Sequence, residues 1–240
     1  MQKIKLVVFD LSGTTVEDDN AVAKSLHQAA VDYGLDVPLV EFQKTIGTNK
    51  IHLYQYMIAQ SKGQDVAIED FEKYDFPELY AEAKVLFDNY SVIMLDYYRN
   101  HVKAMPGAED VFEWCHQNDI KVATDTGFHN DVNRTIIDSL EWQERGLVDV
   151  SVDVEMTQGT GRPAPYMLFY AMQQLGVQSV HEVVKIGDTP ADLLSGHNGG
   201  CRYNIGVLSG ANDRQTLEKH PHTHIFGSVA ELPQLLEQEA

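Results

Sequence analysis

Asp10 closes a short apolar run, Lys5-Leu-Val-Val-Phe9, and is followed by the polar stretch Ser12-Gly13-Thr14-Thr15. Two other clusters have the same setting. Thr126 and Gly127 follow the run Ile120 to Thr124, and Asp188 follows Val183 to Ile186. Short β-branched apolar runs bounded by turn residues read as buried strands. In an open parallel sheet, ligands bind outside the carboxyl ends of the strands. Three strand ends therefore offer one crevice two carboxylates, a hydroxyl and a glycine. Carboxylates so placed can attack an electrophile or hold a hard cation. Each residue also has a plainer reading. Asp10 can serve as a turn acid, and Asp192, one helical turn after Asp188, can stabilise a helix N-terminus. Arg162 can be a surface residue of the turn Gly161-Arg162-Pro163-Ala164-Pro165, and Lys50 a solvated residue on a helix.

The elements that must position these groups follow from the apolar spacing. From Asn20 to about His101 the pattern is almost wholly helical, with apolar residues at helical intervals in Ala21 to Tyr33, Ile51 to Ile58 and Tyr80 to Tyr97. Met105-Pro106-Gly107 punctuates the chain and restarts a helix at Ala108 to Gln117. Beyond it, strand and helix alternate. Strands are expected at Ile120 to Thr124, Val148 to Val152, Val183 to Ile186, Tyr203 to Val207 and His224 to Phe226. Helices are expected at Asn130 to Ser139, Tyr166 to Leu175, Ala191 to His197 and Val229 to Glu237. Such alternation implies an α/β fold, a Rossmann-like doubly wound parallel sheet covered on both faces. The strand before Asp10 joins it, which makes the helical block an inserted cap. The expected organisation is core at 1–16, helical cap at 17–103 and core again at 104–240. The acidic run Glu17-Asp18-Asp19 is expected to open the hinge and cap the first cap helix.

Bulk composition narrows the function. Of 240 residues, 43% are hydrophobic, enough for one large domain or a core with a smaller insert. The 36 acidic residues against 18 Lys plus Arg give a formal charge of -18, a field that repels nucleic acid and anionic lipid. No stretch approaches the ~18 apolar residues of a membrane span, and the apolar start is too short for a signal peptide before Asp10 interrupts it. Cys115 and Cys201 make no disulfide framework, and a cytoplasmic location fits. The alternating His220, His222 and His224 invite a metal reading, with a solvated strand entrance as the plainer account.

Phe9-Asp10-Leu11-Ser12-Gly13-Thr14-Thr15 resembles the first motif of the haloacid dehalogenase superfamily, Lys121 to Gly127 the second, Gly161 to Pro165 the third and Ile186 to Asp192 the fourth. The resemblance implies that Asp10 attacks phosphorus to form an aspartyl-phosphate and that Gly13 and Gly127 lie against the substrate. It places Thr126 on a phosphoryl oxygen and Arg162 against the charge of nucleophile and transferred group. It also implies Mg²⁺ held by Asp10, the carbonyl of Ser12, and Asp188, with Asp192 acting through water or outer contacts. The substrate would be a small anionic metabolite, so local cations must overcome the global field.

Ser12 departs from the phosphatases of that superfamily, which carry a second Asp there as general acid and base. A serine hydroxyl does not titrate in the useful range. The phosphonoacetaldehyde hydrolase branch also lacks that acid and recruits a cap lysine as a Schiff base. Gln43 to Ile51 resembles its cap motif, with Lys50 on the lysine; Arg162, Thr126-Gly127-Phe128 and Gly206 to Gly210 resemble it as well. The branch carries a histidine three residues beyond the lysine, where this chain has Leu53, and His52 lies one position earlier, rotated ~100° on a helix. Three readings stay open: a phosphonatase-like hydrolase, a phosphomonoesterase for a phosphoglycolate-like acid, and a catalytically weak binding protein that keeps the fold. Caps of this type often pair, so the resemblance also implies a homodimer.

Overall fold

A computed structural model describes residues 3–46, 48–64 and 76–238. The helical pattern expected across 65–75 lies outside the described residues, as does Gly47. The chain divides into two compact units, Met1–Asp18 with His101–Ala240, and Asp19–Asn100.

The first unit is built on a six-stranded parallel sheet in the order β3-β2-β1-β4-β5-β6. Its strands are β1 Leu6–Asp10, β2 Lys121–Thr126, β3 Val150–Asp153, β4 Val183–Gly187, β5 Tyr203–Val207 and β6 His224–Phe226. The helices between them are α5 Ala108–Gln117, α6 Asn130–Ser139, α7 Tyr166–Leu175, α8 Pro190–Gly199, α9 Arg214–Leu217 and α10 Leu232–Glu237. β1 is buried throughout because it pairs with β2 on one side and β4 on the other. That explains its unbroken apolar run, since both faces of a covered parallel sheet are dry. On one face Leu6, Val8, Ala123 and Val152 pack with Met167, Leu168 and Ala171 of α7. On the other, Phe9 meets Phe112 edge-on at 5.1 Å between ring centroids, and Phe112 meets Trp142 likewise at 5.1 Å. The strand order reverses direction at β1, between β2 and β4, the place where the carboxyl ends of an open sheet form a crevice.

The second unit is helical: α1 Ala21–Tyr33, α2 Leu39–Lys44, α3 Lys50–Ser61 and α4 Tyr80–Asn100. Its core includes Leu26, Leu53, Tyr54, Met57, Leu86 and Met94. The buried Tyr54 hydroxyl donates to the Leu26 carbonyl at 3.1 Å, so the ring is buried with its polar tip satisfied. One expectation is corrected here. Asn20, in the left-handed region, and not a residue of the acidic run, occupies the cap position of α1, and its side chain makes no cap hydrogen bond.

Candidate active site

The loop after β1 curls back on a single acceptor. The Leu11 carbonyl accepts N–H bonds from Thr15 at 2.9 Å and Val16 at 2.8 Å, and the Thr15 hydroxyl donates to the Asp10 carbonyl at 2.8 Å. Gly13 sits at φ +83, and a Cβ there would lie 2.8 Å from Asp188 Oδ2 and 2.9 Å from Gly210 Cα. Only glycine fits both the dihedral and the gap. The Ser209 hydroxyl donates to the Gly13 carbonyl at 2.8 Å, so the loops after β1, β4 and β5 meet at this residue.

The α8 N-terminus supplies two more acids. Thr189 caps the helix, and Asp192 returns the bond to the Thr189 N–H, a complete capping box. Asp192 Oδ2 also accepts from the Thr189 hydroxyl at 2.6 Å. This folds the Asp192 carboxylate back over Gly187, where any Cβ would collide with it. The two readings of Asp192, helix stabiliser and site acid, are therefore one geometry. Asp188 accepts from the Ala211 N–H at 2.7 Å and the Thr14 hydroxyl at 3.2 Å.

Two cations hold these acids together. Arg162 Nη1 donates to Asp10 Oδ1 at 2.6 Å, makes a very short contact with Asp192 Oδ1, and lies 3.7 Å from Asp125 Oδ1. Lys185 Nζ lies 2.7 Å from Asp125 Oδ1 and 2.9 Å from Asp192 Oδ1. The Lys185 and Asp125 side chains are 0% exposed, and that of Arg162 is 9% exposed. Neither Asp125 nor Lys185 was singled out from sequence. The available signals were a lysine inside the apolar run Val183 to Ile186, since a buried lysine needs a partner, and sheet register, which sets Asp10 directly beside Asp125.

Burial shifts the acids, and the cations decide the direction. Desolvation raises the Asp10 carboxyl to about 6, against the pull of Arg162. Asp188 is raised well above the usual range by burial and by the neighbouring Asp10 and Asp192 charges. Burial also acts to raise Asp192, but Arg162, Lys185 and the Thr189 hydrogen bond outweigh it and hold the carboxyl below the usual range. Four buried carboxylates face two buried cations, which leaves two formal negative charges at the site. One oxygen of Asp125, Oδ2, is buried with no hydrogen-bond partner. Ligand oxygens of Asp10, Asp125 and Asp192 lie within 4.8 Å of one another, the one metal-capable cluster found among the described residues; it takes in Asp125 rather than the expected Asp188, and Arg162 and Lys185 already sit against its three carboxylates. A charge excess of two among hard oxygen donors fits a divalent cation such as Mg²⁺.

The remaining expected residues divide between the units. Thr126 is the last residue of β2 rather than the first beyond it; its hydroxyl is buried and accepts from the Phe128 N–H at 3.2 Å. Gly127 follows, half-buried, and Ser12 is half-buried in the first loop. Lys50 belongs to the helical unit, as the half-buried first residue of α3. Asn49 caps that helix and accepts from the His52 N–H at 3.0 Å. Leu53 is fully buried in that unit's core. His224 opens β6 with its ring 5.8 Å from that of Tyr203, and His222 Nδ1 bonds the His220 carbonyl at 2.7 Å; the metal-capable cluster found among the described residues does not include these histidines. Among the described residues, no helix is long and apolar enough to cross a membrane.

Residues 4–200 match the family model for haloacid dehalogenase-like hydrolases. A phosphonoacetaldehyde hydrolase of Lactiplantibacillus plantarum is 28% identical, over 98% of this chain and 96% of its own. Among solved structures, a phosphonoacetaldehyde hydrolase-like protein from Oleispira antarctica shares the fold at TM-score 0.81 and 20% identity, covering 99% of this chain and 92% of that one. A putative phosphoglycolate phosphatase from Lactobacillus delbrueckii subsp. bulgaricus does so at TM-score 0.77 and 21% identity, covering 99% and 98%.

Proposed function

The chain belongs to the haloacid dehalogenase-like hydrolases, and from that premise we propose that it cleaves the carbon–phosphorus bond of phosphonoacetaldehyde or a close relative. The observation that carries this reading is Ser12: the residue two beyond the proposed nucleophile has no acid to protonate an ester leaving group. An aldehyde phosphonate needs no such acid if an imine accepts the electron pair instead. The homologue of L. plantarum that spans nearly the whole chain carries the corresponding name.

In this reading Asp10 attacks phosphorus from the carboxyl end of β1. Arg162, held at 2.6 Å, offsets the charge that builds on the nucleophile and the transferred group. The Thr126 hydroxyl holds a phosphoryl oxygen. The Lys50 amine condenses with the aldehyde with loss of one water, and the protonated imine takes the electron pair of the breaking carbon–phosphorus bond as an enamine while phosphorus passes to Asp10; two waters then release phosphate from Asp10 and acetaldehyde from Lys50. Lys50 is the first residue of α3. Asp10, the Ser12 carbonyl, Asp188 and Asp192 would hold Mg²⁺, which when bound supplies neutralisation of phosphoryl charge.

The test is a paired assay of phosphonoacetaldehyde and phosphoglycolate with borohydride trapping. The wild type is expected to turn over the phosphonate, to trap a covalent adduct at Lys50, and to lose turnover in Lys50→Ala and Asp10→Asn. Undiminished phosphonate turnover by Lys50→Ala sinks the mechanism. Ordinary turnover of the ester without trapping moves the enzyme to the phosphomonoesterases.

A further inference from the structure

The roles above leave Lys185 unused, although it is the most deeply buried cation near the nucleophile. We propose that Lys185 is a positioning residue: by neutralising Asp125 it keeps Arg162 directed at Asp10. The inference rests on Asp10 as nucleophile and not on which bond is cleaved.

The geometry is a competition of three carboxylates for one guanidinium nitrogen. Arg162 Nη1 is 2.6 Å from Asp10 Oδ1 but also 3.7 Å from Asp125 Oδ1. Lys185 sits between the competitors, 2.7 Å from Asp125 and 2.9 Å from Asp192. Asp125 is fully buried, and its other oxygen has no hydrogen-bond partner. Without Lys185, Asp125 becomes an uncompensated buried charge whose nearest cation is Arg162. A buried charge in that state is strongly unfavourable, so the guanidinium is drawn from Asp10 towards Asp125. The sheet itself does not need a lysine there. β4 is buried along its whole length, and well-packed apolar side chains often replace buried ion pairs without loss. The fold makes room for the stem, because a Cβ on Gly196 of α8 would lie 2.9 Å from Lys185 Cβ. What lysine supplies is a positive charge 2.7 Å from Asp125, nearer to it than Arg162 at 3.7 Å.

The experiment uses the full chain and whichever of phosphonoacetaldehyde and phosphoglycolate the wild type turns over. Lys185→Met is compared with the Lys185→Met/Asp125→Asn double variant. Lys185→Gln, which keeps a donor for Asp125 without the charge, is made alongside in case the methionine variant does not fold. Per folded molecule, kcat is expected to fall about 10²-fold, as for a catalytic group displaced by about 1 Å, with KM within about twofold. A crystal structure of the single variant is expected to show Arg162 on Asp125, and Asp125→Asn in that background to restore most of kcat and the Arg162–Asp10 contact. Unchanged kcat per folded molecule with Arg162 still on Asp10, or a double variant as slow as the single one, overturns the proposal. Asp10→Asn is the control. Turnover retained there removes the nucleophile assignment itself, whereas a dead Asp10→Asn beside a fully active Lys185→Met removes only the role of Lys185.

Discussion

Replacing the proposed nucleophile should make the metal-free protein more stable. Desolvation raises the Asp10 carboxyl from 3.8 to about 6 despite the guanidinium beside it. The folded chain therefore binds that proton more tightly than the unfolded chain. The stability it brings is full below about pH 4 and is lost as pH rises through about 6. At about 1.4 kcal/mol per pH unit, a shift of roughly two units corresponds to about 3 kcal/mol lost by neutral pH. Asp10→Asn keeps the size of the side chain and an oxygen for Arg162 but removes the ionisation. The excess stability of the variant should grow from about 1 kcal/mol near pH 4.5 to about 3 kcal/mol near pH 7.5. Urea denaturation in the presence of EDTA across that range measures it. Added Mg²⁺ should narrow or reverse the gap, since a ligand bound only by the native state stabilises it. A variant less stable than the wild type at neutral pH, or a difference flat across the range, would refute the reasoning that Asp10 is held ionised at a cost.

Two further outcomes follow from the loop geometry. Gly13→Ala places a Cβ against the Asp188 carboxylate and the Gly210 backbone at φ +83; it should cost about 2–4 kcal/mol in a thermal or urea melt and lower turnover by shifting Asp188. Thr189→Ala removes the α8 cap and the 2.6 Å bond to Asp192; it should cost about 1–2 kcal/mol, with Thr189→Ser recovering most of it.

The periodicities already contained much of the first unit. The run before Asp10 reads as a strand because both faces of β1 are covered, and the strand-helix alternation after Ala108 follows from burying one face of each helix on a parallel sheet. Asp10 and Asp188 were visible as site candidates because strand ends leave marks in the local sequence, whereas Arg162 and Asp192 entered through the motifs they resemble. Asp125 lies at a strand end and Lys185 is one charge in an apolar run. Neither residue carries a local signal of its partner. The cap position of α1 falls on Asn20, one residue beyond the acidic run, a boundary that side-chain type alone does not set.

The sequence by itself determined the fold class, the family and the chemical types available at the crevice, because those depend on spacing within ten or so residues. Only the tertiary structure decided how the charges are shared. Arg162 meets Asp10 across 152 residues of chain and Lys185 meets Asp125 across 60. These pairings are fixed by which strands lie side by side and in what register. Electrostatics in a dry interior depends on such distances and not on order along the chain. Asp10 was thus legible as a candidate nucleophile through the motif its neighbours resemble, but the cation network around it exists only once the sheet is assembled.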